Sequence, residues 1–343
     1  HGGVRYLAQG DIALVREACV ERGRLLKNAP HLVNNQPFVI PTFSWFDELM
    51  YTVGLTFYDI LAGKFSMGRS KRISKKKAIE SLPTIKKEKI TAGVLYHDGQ
   101  FDDSRLAVNV IQTAVEKGAI AVNYMDVQGL TKNGDGKTNG VVAIDQESGQ
   151  SFTLKGKVVI NATGVFADEV LQMDEPGKEK TMRPSQGIHL VLDKSFLPGN
   201  SALMIPKTDD GSVLFGVLWH GKLVVGTTDT PINTASLEPV ALESEIEFIL
   251  NTMAKYLVKA PTRHDVLSIF AGLRPLAAPK GDSKKTKEIS RSHKIFVSNS
   301  HLFTMVGGKW TTFRRMAQDM VSRVEKVKGL SKTQTKTKNL QIH

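Results

Sequence analysis

VVINATGVFADEV, residues 158–170, is the stretch on whose reading the fold turns. Its first half is a short apolar strand, Ala162-Thr163-Gly164 form a small-residue end to that strand, and the residues that follow read as a helix. Small residues where a strand turns into a helix let a ligand approach the backbone, as happens where a nucleotide-binding sheet meets its cofactor. The same run also suits an ordinary buried strand that ends in small residues. The sequence on either side has to decide between them.

Upstream, Asp102, Asp103 or Ser104 can cap a helix whose Leu106, Ala107, Val110, Ile111, Ala114 and Val115 form one face, and Lys117-Gly118 is a stop signal. AIAVNYM at 119–125 reads as a strand. Two turn signals, NGDG at 133–136 and ESGQ at 147–150, then divide apolar runs into a β-meander that leads into VVINATG. Helix, strand, three-stranded meander and a strand ending in Ala-Thr-Gly is the order of the second half of FAD-binding domains of the glutathione-reductase type. The only G-x-G, Gly134-Asp135-Gly136, lies in the predicted hairpin and not between strand and helix, so it is a turn and not a pyrophosphate cradle. The first strand-helix-strand unit of such a domain is therefore expected before residue 1.

Downstream the pattern changes to alternating strands, GIHLVLD, SALMIPK, SVLFGVLW and KLVVGTTDT, which predict a mostly antiparallel sheet of the kind laid over a flavin. His189 stands in the first of them between Ile188 and Leu190. A lone histidine among apolar neighbours is more often a satisfied core residue than a catalyst, and position alone leaves both roles open. Gly226-Thr227-Thr228-Asp229-Thr230 is either a strand-end turn with hydroxyl caps or a wall of the active site. In SIFAGLRPLAAP, Arg274 stands between an apolar strand and a proline-rich bend, where its planar fork suits phosphate or carboxylate. FTMVGGKWTTFRRMAQDMV then gives a strand, Gly307-Gly308, and a helix with Phe313, Met316, Ala317, Met320, Val321 and Val324 on one face. Glycines at such a junction admit a ligand to the backbone, and the helix start offers free N–H groups and a positive dipole to an anionic edge.

Toward the beginning of the chain, residues 11–27 predict an amphipathic helix that ends before Pro30. From Phe38 to Phe65 apolar and aromatic residues recur at three- and four-residue steps, while Asp47, Glu48 and Asp59 rule out a membrane-spanning helix. Two readings fit the segment. It either packs on its own core with a solvated basic loop behind it, or lies flat in a membrane interface with Arg69, Lys71, Arg72, Lys75, Lys76 and Lys77 on anionic lipid.

Bulk properties narrow the class. With 343 residues, 41% hydrophobic and 23% charged, the chain is globular and long enough for two domains or one elaborate α/β body. Its single cysteine, Cys19, excludes an internal disulfide, and no cysteine and histidine spacing reads as a metal site. A net charge of +12 favours an anionic partner. Nucleic acid would meet that charge, but no zinc finger, helix-turn-helix or RNA-binding aromatic motif is present. The chain opens HGGVRYL without an initiator Met and closes on the polar SKTQTKTKNLQIH, so a fragment of a longer protein is expected.

Seven stretches occur together and in order: HGGVRYL, YHDGQFDDSRL, INATGVFAD, RPSQGIHLVLD, VVGTTDTP, AGLRPL and GGKWTTF. In order and approximate spacing they resemble FAD-dependent glycerol-3-phosphate dehydrogenases, the membrane-associated flavoenzymes of the D-amino-acid-oxidase structural group, over nearly the whole chain. The resemblance implies an α/β fold with a Rossmann-like FAD-binding domain lacking its first βαβ unit, in 1–30, 96–172 and 300–330. An antiparallel substrate-binding domain would occupy 31–95 and 173–299, and 331–343 would link to a helical C-terminal domain. It implies that His1, Gly2, Gly3, Ala162, Thr163, Gly164, Gly307, Gly308, Lys309, Trp310 and Thr311 contact FAD. Arg5 and Tyr6 would face the substrate, and Arg274 and Lys309 would hold its phosphate, where charge-assisted hydrogen bonds are worth roughly 1.5–3 kcal/mol each.

The implied reaction is oxidation of sn-glycerol 3-phosphate to dihydroxyacetone phosphate, with hydride passing from carbon 2 to flavin N5 while a base takes the hydroxyl proton. His189 is the preferred base, because imidazole titrates near neutral pH; a neighbouring arginine such as Arg274, a water, or His1 competes. Electrons would pass on to a membrane quinone, or to oxygen in an oxidase relative. The implied setting is peripheral on the inner face of the cell membrane, or the mitochondrial inner membrane in a eukaryote, and a homodimer is compatible with it. Another flavin oxidase of the same structural group, and a chain that keeps the substrate domain without working chemistry, are the rival readings.

Overall fold

A computed structural model describes residues 10–278 and 292–343. In chain order the elements are α1 (Ile12–Asn28), β1 (Val33–Thr42), α2 (Trp45–Ala62), β2 (Lys71–Ser74), α3 (Lys75–Ser81), β3 (Ala92–Phe101) and α4 (Asp103–Glu116). They continue as β4 (Met125–Lys132), β5 (Thr138–Asp145), β6 (Ser151–Lys155), β7 (Val159–Asn161), α5 (Ala167–Asp174), β8 (Ser185–Asp193), β9 (Ala202–Ile205) and β10 (Leu214–Trp219). The remainder are β11 (Lys222–Gly226), β12 (Thr230–Pro231), α6 (Glu243–Tyr256), β13 (Ser268–Arg274), β14 (Lys294–Val297), β15 (Leu302–Val306) and α7 (Phe313–Lys328). The mixed α/β class read from the sequence holds. Two compact units result, one formed by the chain up to Phe101 with Gln186–Pro231 and Ser236–Leu273, the other by Asp102–Ser185, Ile232–Ala235 and the chain from Arg274. The sequence reading sets domain limits after residues 30, 95, 172, 299 and 330, and the compact units divide after 101, 185, 231, 235 and 273.

The first unit is built on one sheet in the order β12-β8-β11-β10-β9-β1-β3-β2, and β13 also pairs with β8. β1 and β3 pair antiparallel from Val33↔Phe101 to Thr42↔Ala92, while β1 meets β9 in parallel. Period-two alternation sorts the side chains onto the two faces. Ile188, Leu190 and Leu192 of β8 pack with Ile246, Ile249 and Met253 of α6. Phe38 and Ile40 of β1 point the other way, into a cluster with Val94, Tyr96 and Leu55 of α2.

α2 carries two apolar stripes. Leu55, Tyr58 and Ala62 are buried, and Tyr58 and Ala62 pack with Leu14, Val15 and Cys19 of α1. Phe46, Leu49, Val53, Phe57 and Ile60, at steps of three and four, are exposed by 59, 54, 60, 40 and 68%. Both sequence readings of this segment thus have a counterpart, a core-packed stripe and an open apolar one. The basic run expected as a loop is instead β2 followed by α3. Ser74 Oγ accepts from Lys77 N and caps the helix, and Ile73 and Ala78 are buried. Arg22, buried on α1, donates through Nη1 to Asp98 Oδ1 and to Tyr58 Oη, both at 2.8 Å. Burial opposes the guanidinium charge, but Asp98 with Tyr58 and Cys19 together outweigh it, and Arg22 is raised above its ordinary pKa.

The second unit holds two three-stranded sheets, β14-β15-β7 and β4-β5-β6. Of the three cap candidates in the sequence, Asp102 caps α4, accepting from Arg105 N at 2.9 Å, and both predicted turns of the meander form. The strand expected at 119–125 does not. Residues 119–124 join no ladder among the described residues, and Ile120, Val122 and Tyr124 stand exposed. Alternating apolar residues become a strand only where a neighbour satisfies their backbone. Asp174 at the end of α5 joins the parts of this unit: Ser300 Oγ donates to it at 2.6 Å, Lys132 Nζ lies 3.0 Å away, and Thr138 N donates to Ser300 O at 2.7 Å.

Candidate active site

β7 and β15 are parallel neighbours, with Asn161 opposite Thr304. Their carboxyl ends therefore run out side by side, one into Ala162-Thr163-Gly164 and the other toward Gly307-Gly308. Ligands of α/β sheets settle at the carboxyl ends of parallel strands. Gly164, Gly307 and Gly308 all adopt left-handed backbone, with φ of 62, 73 and 88°, where a Cβ is strained. No atom lies within 4 Å of the place a Cβ would take at Gly164, so this strand end opens onto free space. At Gly307 a Cβ would come within 2.8 Å of Ser292 O, and at Gly308 it would press on Met316. Both ends continue through a single 3₁₀ turn, Gly164–Phe166 and Trp310–Thr312, into α5 and α7.

Asn161 holds the first strand end in shape. Its Nδ2 donates to Ala167 O at 2.9 Å, and its Oδ1 accepts from Thr163 Oγ1 at 2.8 Å. Asp168 does the same for the segment after α5, accepting from Thr181 N, Thr181 Oγ1 and Met182 N at 2.6–3.1 Å. Residues 181–183 in turn bond to 276–278 just beyond Arg274, through Arg183 N to Leu276 O at 2.8 Å and Ala278 N to Thr181 O at 2.7 Å. At the second strand end Lys309 is extended, its Nζ is shielded from solvent, and its carbonyl accepts from Thr312 N at 3.0 Å. Trp310 Nε1 donates to Asp103 O at 3.3 Å, and Thr311 is buried.

The second unit thus brings together Ala162, Thr163, Gly164, Gly307, Gly308, Lys309, Trp310 and Thr311, and also holds Arg274. His189 belongs to the first unit. His1, Gly2, Gly3, Arg5 and Tyr6 lie outside the described residues. Since Ile188 and Leu190 enter the core beneath α6, alternation turns His189 to the opposite face of the sheet. Phe270, between the core-packed Ile269 and Ala271, stands on that same face, half exposed, and stacks on the imidazole with centroids 5.0 Å apart at 15°. Gly226 pairs with His189 across the ladder, and a Cβ there would overlap the ring. His189 is therefore not a core histidine.

Sequence reasoning did not single out Asn161, Asp168 or Phe270, although all three lie in or beside quoted motifs. A buried Asn that interrupts an apolar strand is the signal for Asn161. The strand ends suit the FAD that the motifs imply: two adjacent carboxyl termini, three glycines in left-handed backbone, open space at Gly164 and two helix starts, whose dipoles favour an anionic group.

Comparison with known proteins gives the same direction. The model of the family described as FAD dependent oxidoreductase matches residues 1–314. The mitochondrial glycerol-3-phosphate dehydrogenase of Schizosaccharomyces pombe is 38% identical over 364 residues, covering 98% of this chain and 56% of that protein. Its namesake from Rattus norvegicus is 38% identical, covering 99% and 48%. The chain spans about half the length of the curated relatives it matches. Among solved structures, the glycerol-3-phosphate dehydrogenase from Bacillus halodurans complexed with FAD has a TM-score of 0.77 at 28% identity, covering 94% of this chain and 57% of that one.

Proposed function

This chain belongs to the FAD-dependent oxidoreductase family, and from that membership we propose that it binds FAD and oxidises sn-glycerol 3-phosphate to dihydroxyacetone phosphate. The observation that carries the reading is the pair of glycine-bearing strand ends, Ala162–Gly164 and Gly307–Gly308, set side by side by the β7–β15 pairing. The second unit is then the cofactor-binding body and the first the substrate-binding one.

When bound, FAD supplies the two-electron acceptor that side chains lack. Ala162, Thr163, Gly164, Gly307, Gly308, Trp310 and Thr311 would hold it. Arg274 and Lys309 bind the substrate phosphate, with Arg5 and Tyr6 beside it. His189, oriented by Phe270 and Gly226, takes the proton of the hydroxyl on carbon 2. The exposed stripe of α2, flanked by the basic β2 and α3, supports peripheral seating on an anionic membrane and, with it, a lipid-borne quinone as acceptor. No helix among the described residues is long and apolar enough to cross a membrane. The mitochondrial names of the relatives favour that organelle.

The absorption spectrum of purified full-length protein, followed by anaerobic addition of sn-glycerol 3-phosphate, tests the reading. A flavin spectrum that bleaches supports cofactor and substrate together. Protein that takes up no FAD overturns it, and bleaching by an amino acid instead moves the chain to another flavin oxidase.

A further inference from the structure

Glu245, in the first turn of α6, is 4% exposed and accepts four hydrogen bonds. Thr228 Oγ1 and Thr230 Oγ1 donate to its Oε1 at 2.8 and 2.6 Å, and Gln186 Nε2 and Leu242 N donate to its Oε2 at 2.8 and 3.0 Å. Capping α6 accounts for the bond to Leu242. The other three gather the ends of β8, β11 and β12 around one buried carboxylate. Thr228 is the pivotal donor, because the hydroxyl that donates to Glu245 also accepts from Ile188 N at 3.1 Å. Ile188 immediately precedes His189, and Gly226, two residues before Thr228, is the residue against which the imidazole packs.

We propose that Glu245 is a positioning residue for His189, acting through the Thr228 hydroxyl, which ties the backbone of β8 and the 226–230 segment to one fixed carboxylate. The inference rests on the reading of His189 as the base. The relay is specific: Glu245 Oε1 to Thr228 Oγ1 to Ile188 N fixes the strand at the residue next to the imidazole, while Phe270 fixes the ring plane. A carboxylate is suited to the task because it accepts on both oxygens, whereas an amide must turn an NH2 toward donors.

The test uses full-length, FAD-loaded enzyme. Glu245→Gln is expected to lower kcat by tenfold or more, up to about 100-fold as for other slightly misplaced groups, with KM for sn-glycerol 3-phosphate within about twofold. Thr228→Val, isosteric but without the hydroxyl, should reproduce the loss, and Thr228→Ser should restore it. In a His189→Asn background the Glu245→Gln effect should vanish, because residues acting as a unit are non-additive. An unchanged kcat in Glu245→Gln, or the same fold loss in both backgrounds, overturns the proposal. If His189→Asn alone leaves kcat intact, the reading of His189 as base fails. A crystal structure of Glu245→Gln then decides the positioning role by itself: an imidazole shifted off Phe270 upholds it, and an unmoved one sinks it.

Discussion

Asn161 and Thr304 face each other across the parallel pair β7 and β15, with Asn161 Nδ2 3.4 Å from Thr304 Oγ1, both side chains buried. The contact joins the two strand ends that carry the glycines. Asn161→Leu keeps the approximate volume but leaves Ala167 O without its donor, so stability should fall by roughly 1–3 kcal/mol. Thermal denaturation measures that loss, and the flavin-to-protein absorbance ratio should fall with it.

The three glycines differ in what surrounds them, which ranks their alanine variants. Gly307→Ala adds a clash with the Ser292 backbone oxygen to an unfavourable φ, Gly308→Ala clashes with the movable Met316 side chain, and Gly164→Ala meets nothing within 4 Å. Strain from φ alone is about 1–2 kcal/mol. FAD affinity and melting temperature should fall most for Gly307→Ala. Met316→Ala should recover part of the Gly308→Ala loss and none of the Gly307→Ala loss.

Val53→Glu on the exposed stripe of α2 should abolish much of the binding to anionic lipid vesicles without altering the flavin spectrum. A buried apolar side chain is worth roughly 1.5–3 kcal/mol, so partition should weaken about tenfold or more. Leu55→Glu, two residues on but within the core, should instead unfold the first unit. Vesicle sedimentation at two salt concentrations separates the apolar contribution from that of Lys75, Lys76 and Lys77.

Acid should destabilise the fold through carboxylates held below their ordinary values. For Glu245, burial alone would raise the pKa, but bonds from Leu242, Thr230, Gln186 and Thr228 outweigh it. Asp174 is lowered likewise against burial, by Ser298, Ser300 and Lys132. The unfolded chain protonates these groups first, so their contribution is intact above the ordinary values of 4.5 and 3.8 and is lost as pH falls through the lower folded values. His97, lowered mainly by burial, acts in the same direction from pH 6.5 downward. Urea midpoints against pH should show a shallow decline below 6.5 that His97→Gln flattens, and a steeper acid limb that Glu245→Gln reduces.

Asp98→Asn breaks the buried pair with Arg22 and leaves a guanidinium charge without its counter-ion. One-sided removal of a buried ion pair typically destabilises by about 3–5 kcal/mol. Arg22→Met with Asp98→Asn together should lose less than Asp98→Asn alone, as calorimetry of the three variants would show.

Elements governed by local pattern were legible in the sequence. The VVINATG strand and its small-residue end, the Asp102 cap, the two meander turns and the glycine junction before α7 all stand where spacing and turn residues put them. What was not legible depends on partners far along the chain. AIAVNYM has strand alternation, yet only its end is met by a neighbour, where Gln146 N donates to Tyr124 O and Met125 begins β4. The KRISKKK run looks like a solvated loop until Ile73 and Ala78 find the core. Asp98 sits in a motif that resembles functional ones, but its partner is 76 residues away, and no periodicity announces that. Glu245 and Phe270 gain meaning only when β8, β11 and β13 are side by side.

The pairing of β7 with β15 also sets a schedule for synthesis. Asn161 and Thr304 are 143 residues apart, which at common elongation rates is roughly 7–30 s of translation. Throughout that interval the newborn chain holds one half of the glycine-lined cleft without its neighbour, and β7 has no partner on the side where β15 will lie. Any ligand that needs both strand ends at once can bind only after that interval. A message broken off after the codon of Arg274 but before that of Thr304 yields a polypeptide with every strand of the nine-stranded sheet and only one of the two glycine-bearing strand ends.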